Sequence, residues 1–298
     1  MNSSRISEVD RLAAFLVQGA TLELHLTPKP GLVDLKDCGS HPDLTVALME
    51  QSLTMVSDCL QELIGSLGRG EDFAQQVSIA QRAEKRMHEN LGSNTHKGYL
   101  FLSGLMLIAR WHARTADERI MRDTIGSLAG NFFASQGSLP THGQKVRGRF
   151  PVGGIVQESI HGFPSLFEEA IPAYLAAMEQ HGCFQKASFS MLARLMQVVE
   201  DTTALHRCGA TGLEQIRHDG RRLEKIINQG GNFLPILEEL NRQYIRMNLT
   251  MGGVADMLGL SYGYLLASGN IPEGDQSSAH RLADRSASPV PAFEPLRV

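Results

Sequence analysis

Five short polar runs in this 298-residue chain gather lysine, arginine, histidine and carboxylates at points where the apolar periodicity breaks. The first, Thr27-Pro28-Lys29-Pro30-Gly31-Leu32-Val33-Asp34, is followed by Gly39-Ser40-His41-Pro42-Asp43. Two prolines restrict the backbone in advance, so Lys29, Asp34, His41 and Asp43 can be presented to a phosphate or a metal at small entropic cost. A helix-breaking loop with Asp43 as an N-cap explains the same residues. The second run, Gly92-Ser93-Asn94-Thr95-His96-Lys97-Gly98, leads into an apolar helix. Unpaired amides and positive partial charge at a helix start, joined by His96 and Lys97, suit an anion. A start capped by Asn94 or Thr95 is the structural alternative.

The third run extends from Thr141-His142-Gly143 through Lys145, Arg147 and Arg149 to Glu158 and Gly162-Phe163-Pro164. Its basic groups can meet phosphates and Glu158 can act as a base, while solvated surface charge accounts for each residue taken singly. In the fourth, Glu200-Asp201-Thr202-Thr203-Ala204-Leu205-His206-Arg207, hard oxygen ligands beside a guanidinium suit a magnesium ion and a phosphate together. An ion-paired helix end is the plainer reading, and Cys208 reads as a small packing residue. The fifth, Thr250-Met251-Gly252-Gly253-Val254-Ala255-Asp256, opens the last helix on two glycines and places Asp256 in its first turn, where the dipole alone can justify it. The HExxH, GxSxG, EF-hand, P-loop and dinucleotide patterns are all missing, which removes most support for hydrolase, calcium and Rossmann readings.

The elements that must carry these runs are helices. Apolar residues recur at three-to-four spacing over residues 6–26, 43–67, 71–91, 97–113, 117–136, 165–180, 185–200, 212–228, 234–246 and 253–267, and alternating strand patterns are nearly absent. This predicts an all-α fold with one catalytic domain over residues 1–267. Residues 138–164, with five glycines and three prolines, read as the longest loop. The segment 268–298 is rich in serine, proline and charge and reads as a disordered tail.

Composition bounds the function. With 42% hydrophobic and 20% charged residues the chain is of globular type, and a net charge of −4 supplies no field for nucleic acid or an anionic membrane. The four dispersed cysteines indicate neither a zinc ribbon nor a disulfide framework. Charged residues interrupt the N-terminal apolar pattern, and the longest apolar run, Tyr99 to Ala109, is too short to span a bilayer. Both points favour the cytoplasm, and a homodimer is compatible with all of this.

Taken in order, TPKPGLVD at Thr27 to Asp34, NTHKG at Asn94 to Gly98, THG at Thr141 to Gly143, EDT at Glu200 to Thr202 and GGVADML at Gly252 to Leu258 resemble the triphosphoribosyl-dephospho-CoA synthase family. The resemblance implies an all-helical transferase that joins the triphosphoribosyl group of ATP to 3′-dephospho-CoA and releases adenine. The product is the prosthetic-group precursor for citrate lyase or malonate decarboxylase carrier proteins. Glycosyl transfer at C1′ passes through an oxocarbenium-like state, so it needs a carboxylate near C1′, a base for the incoming hydroxyl and help for the leaving base. On this resemblance Asp34, Glu158 and Asp201 are the catalytic candidates. Lys29, His41, Asn94, His96, Lys97, His142, Arg207, Gly252 and Gly253 are candidates for phosphate or substrate binding, and Asp34, Asp43, Asp201 and Asp256 for Mg2+. The chain departs from the family pattern at Thr45, Val156, Cys208 and Met251. Transfer to another cofactor-precursor acceptor, or nucleotide binding without catalysis, therefore stands beside the main expectation.

Overall fold

Glycine sets the most extensive helix contact among the described residues, between α1 (Asn2–His25) and α11 (Gly252–Ala267). A Cβ placed on Gly19 would lie 2.3 Å from the backbone nitrogen of Gly263 and 2.4 Å from the carbonyl oxygen of Gly259, so nothing larger fits between the two backbones. Gly263 in turn packs on Leu16 and Gly259 on Ala20. As the chain advances from Leu16 to Ala20 its partners recede from Gly263 to Gly259, so the helices run antiparallel. Glu23, one turn beyond Gly19, is thereby brought toward Asp256. α11 is apolar on all sides and buried accordingly: Val254, Leu258, Leu260, Tyr262 and Leu265 have no exposed surface.

The computed structural model describes residues 2–93, 95–135 and 152–272. Between α1 and α11 come α2 (Val46–Arg69), α3 (Phe73–Leu91), α4 (Lys97–Ala113), α5 (Glu118–Ser135), α6 (Gly154–Ile160), α7 (Ile171–His181), α8 (Phe184–Val198), α9 (Thr202–Asn228) and α10 (Leu234–Met247). No strand occurs among the described residues, and the core is essentially one contiguous apolar cluster. α4 carries the long apolar run and packs against α1, α2 and α11. No described helix is long and apolar enough to cross a membrane.

Three local features depart from the periodicity. α9 begins at Thr202, ten residues before the apolar pattern places it, because Asp201 caps it. Gly209, at φ 66° and ψ −164°, then kinks the helix, a conformation only glycine adopts freely. The run 138–164, expected as loop, contains α6, and a π-helical turn, Ser165–Ala170, leads into α7. Pro172, at the start of α7, cannot donate the bond that a regular helical turn would need there. Thr45, not Asp43, caps α2: its side chain accepts from the Leu48 amide. Most of the segment expected as a tail lies outside the described residues.

Candidate active site

The helix starts of α4 and α11 meet α1 and the loop after it around a narrow cavity of about 70 Å³. Its polar lining is Glu23 of α1, His41 of the loop, Thr95 and His96 at the start of α4, Tyr99 of α4 and Asp256 of α11. Drug-sized ligands occupy pockets of roughly 300–1,000 Å³, so this space is too small for a whole nucleotide.

Glu23 is 5% exposed, and Lys29 is not exposed at all. The Lys29 ammonium donates to the Glu23 Oε1 and to the Glu23 carbonyl oxygen, both at 2.5 Å. Burial raises the Glu23 carboxyl above its ordinary range, and the Lys29 charge works against that shift. Asp256 has no cation in this role. Burial, then the charges of Glu23 and Asp201, push its carboxyl well above the usual carboxylate range. Its Oδ2 lies against Gly98, and the carboxyl accepts from the Tyr99 amide, so Asp256 caps α4. That corrects the expectation drawn from the sequence: Asp256 lies beyond the first turn of α11, which contains no acidic residue, and it serves another helix. The N-cap position of α4 is His96, whose side chain makes no capping bond, so Thr95 is not the cap.

His96 is 4% exposed, with Nδ1 2.8 Å from Ser52 Oγ and with Nε2 lacking any hydrogen-bond partner. Burial, and secondarily the Lys29 charge, hold its pKa down at about 4, so the ring is neutral. His41 is neutral for a related reason: burial, then Arg207, bring it to about 4 against the opposing effect of Asp43. A guanidinium only donates, so Arg207 Nη2 donates to His41 Nδ1 at 3.2 Å. His41 Nε2–H consequently donates to Thr250 Oγ1 at 2.9 Å. Arg207 also donates to the Ser40 carbonyl at 2.7 Å and to Asn248 Oδ1 at 3.1 Å, locking the loop onto α9 just before its kink.

Three further carboxylates lie outside the lining. Asp201 Oδ1 accepts from the amides of Thr203 and Ala204, and Oδ2 from that of Val254, with Gly253 contributing a further backbone bond. One buried carboxylate thus caps α9 and α11 together. Asp34 accepts from the amides of Lys29, Lys36 and Asp37 and shapes the loop. Glu158 accepts from the amide and hydroxyl of Ser165 at 2.9 and 2.8 Å, tying α6 to the π-helical turn. Burial raises the carboxyls of all three.

Of the residues singled out in the sequence, His41, His96, Gly252 and Asp256 line the cavity. Lys29, Arg207, Asp201 and Gly253 sit one contact behind it. Asp43 is exposed near His41. Lys97 points away into an ion pair with Glu84, and Glu158 is absent from the lining. Asn94 and His142, with Lys145, Arg147 and Arg149, lie outside the described residues. Glu23 was missed, although it falls on the buried stripe of α1 with Leu16 and Ala20, where a charge is itself a signal. Among the described residues no group of three or more His, Cys, Asp or Glu side chains is arranged to hold a metal ion.

Residues 9–270 match the family described as ATP:dephospho-CoA triphosphoribosyl transferase. The chain is similar to the probable 2-(5″-triphosphoribosyl)-3′-dephosphocoenzyme-A synthase of Pseudomonas putida, at 28% identity over 86% of this chain and 94% of that protein. Its counterpart in Pseudomonas aeruginosa strain UCBPP-PA14 is 30% identical over 83% of this chain and 87% of that protein. Protein CitXG of Leuconostoc mesenteroides subsp. cremoris is 28% identical over 80% of this chain, which spans 55% of that longer protein. No solved structure matches. The match across nearly the whole described fold, together with the ordered motifs that build the cavity, makes this chain a transferase belonging to the ATP:dephospho-CoA triphosphoribosyl transferase family.

Proposed function

We propose that this chain transfers the triphosphoribosyl group of ATP to the ribose 2′-hydroxyl of 3′-dephospho-CoA, with release of adenine, at the cavity lined by Glu23, His96 and Asp256. The supporting observation is that one small space holds two carboxyl groups, only one of which has a cation bonded to it. The Lys29 ammonium opposes the upward shift that burial gives Glu23, whereas Asp256 has only the charges of Glu23 and Asp201 beside it, which raise it further; on that difference we assign Glu23 as the carboxylate and Asp256 as the acid.

Such a pair suits glycosyl transfer. As the C1′–N9 bond of ATP breaks, Asp256 delivers a proton to the departing adenine. The Glu23 carboxylate faces the positive charge developing on the ribose, and it takes the proton from the 2′-hydroxyl as the C1′–O bond forms. The hydroxyl proton therefore balances the one adenine carries away, and exchange between the two carboxyls restores the starting state. Only the reacting atoms fit the cavity, so the phosphates extend outward toward His41, Arg207 and Asp43. Three of Arg207's five N–H donors are used by the protein, which leaves others for phosphate. Magnesium typically binds through one or two carboxylates and substrate phosphates, and the exposed Asp43 fits that donor set. When bound, the ion would neutralise triphosphate charge.

The test is adenine release from ATP with magnesium, with and without dephospho-CoA. Release that requires dephospho-CoA is expected. Release only with a different hydroxyl acceptor would move the chain to another substrate, and none with any acceptor would contradict the proposal.

A further inference from the structure

The His96 imidazole reaches the cavity through a chain of hydroxyls that no sequence motif advertises. Ser52, fully buried on α2, holds Oγ 2.8 Å from His96 Nδ1. The Thr95 hydroxyl bonds the same Ser52 Oγ, and the Met87 thioether lies 3.4 Å from Ser52 Oγ and 3.7 Å from Thr95 Oγ1. On the other side of the ring, Nε2 is buried and unpartnered, and His96 is one of the residues that line the cavity. Tyr99 meets the ring edge-on at 6.3 Å and 73°.

The hydrogens can be distributed in two ways. In one, Thr95 donates to Ser52 and Ser52 donates to Nδ1, so Nε2 carries the hydrogen. In the other, Nδ1–H donates to Ser52, the hydroxyl protons run toward the thioether, and Nε2 presents a lone pair. A thioether is a weak acceptor. A lone pair would also face a cavity that already contains the Glu23 carboxylate, whereas an N–H would be attracted to it. We propose that Thr95 and Ser52 act as positioning residues that fix His96 as the Nε2–H tautomer, aiming one neutral donor at an oxygen of the bound substrate. This gives His96 a role distinct from that of a cationic phosphate ligand. It rests on the reaction proposed above, with Ser52 acting only through His96.

Histidine-selective 15N labelling of the full chain reads the tautomer directly, without nucleotide. The His96 signals, assigned by their loss in His96→Gln, are expected to show a protonated Nε2 and an unprotonated Nδ1 at neutral pH. Ser52→Ala is expected to average the two nitrogens and to lower kcat by about tenfold, the equivalent of one neutral hydrogen bond, with KM for dephospho-CoA unchanged. Ser52→Thr, which keeps a hydroxyl, should restore the tautomer. If Ser52→Ala does not fold, Thr95→Val removes the outer hydroxyl and should weaken the same preference. An Nδ1–H tautomer in the unmodified chain, or a tautomer untouched by these substitutions, would overturn the proposal. Because the spectra need no turnover, the relay can fail while the transfer reaction stands, and the reverse.

Discussion

The cavity floor and the shell of helix starts outside it both contain carboxyls drawn out of free solvent, and the two regions use them differently. In the shell, Asp34, Asp201 and Glu158 spend their oxygens on backbone amides and hydroxyls. On the floor, Glu23 has one cation and an open side, and Asp256 has one amide and like-charged neighbours. All five are raised by burial, so a displaced titration alone does not mark a reactive group. What separates them is whether an oxygen still faces space. Size alone misleads in the same way. A groove of about 700 Å³ between α5 and α6 is lined by the exposed Asp117, Glu118, Arg119 and His161 and by the half-buried Arg122.

Lys29 joins the two regions, since its ammonium holds Glu23 and its amide feeds Asp34. Lys29→Met leaves Glu23 buried without its cation and should cost roughly 3–5 kcal/mol. In urea titrations, the double variant with Glu23→Gln should recover most of that loss. If the double variant is no better than the single, Lys29 does not act through Glu23.

Acid should expose the floor next. His41 and His96 hold fewer protons folded than unfolded between about pH 4 and their ordinary value of 6.5. Stability is therefore full above that window and falls as pH drops through it, by up to about 3 kcal/mol for the buried His96. Removing the imidazole with His96→Gln should flatten the slope of unfolding free energy against pH there. Asp256, whose pKa is raised, works in the opposite sense: it contributes most at low pH and less as pH rises. Asp256→Asn should accordingly gain stability relative to the unmodified chain toward alkaline pH.

In the shell, Asp201→Asn turns one oxygen into a donor facing backbone N–H groups. The expected cost is ~1–3 kcal/mol in thermal or urea unfolding, with activity following the folded fraction. The smallest effect should come from Lys97, half-exposed in its pair with Glu84. Lys97→Ala should change stability by less than ~1 kcal/mol and leave KM for ATP nearly unaltered. A large rise in KM would return Lys97 to the phosphate site.

Much of the fold was legible because apolar spacing survives in the sequence wherever a helix buries one face, as along α2, α3 and α10. The first turns of α9 were not, because Gly209 interrupts the pattern and the start depends on a cap shared with α11. The polar runs marked the segments that converge. They did not tell lining from shell, since Asp34 and Asp256 differ only in what tertiary packing sets against them. Glu23 and Ser52 sit inside helical patterns and belong to no run. Three departures from the family pattern have local explanations: Thr45 caps α2, Met251 is fully buried before α11, and the Cys208 thiol donates to the Met247 carbonyl at 3.3 Å. Nothing in the structure explains Val156.

On the proposed reaction the floor carboxyls, and not the shell, perform the transfer. Steady-state adenine release by Glu23→Gln and by Asp256→Asn, each verified as folded by circular dichroism, tests it most directly. The expected result is a fall in kcat of roughly 100-fold or more in both. A folded variant of either kind that releases adenine at the unmodified rate would contradict it.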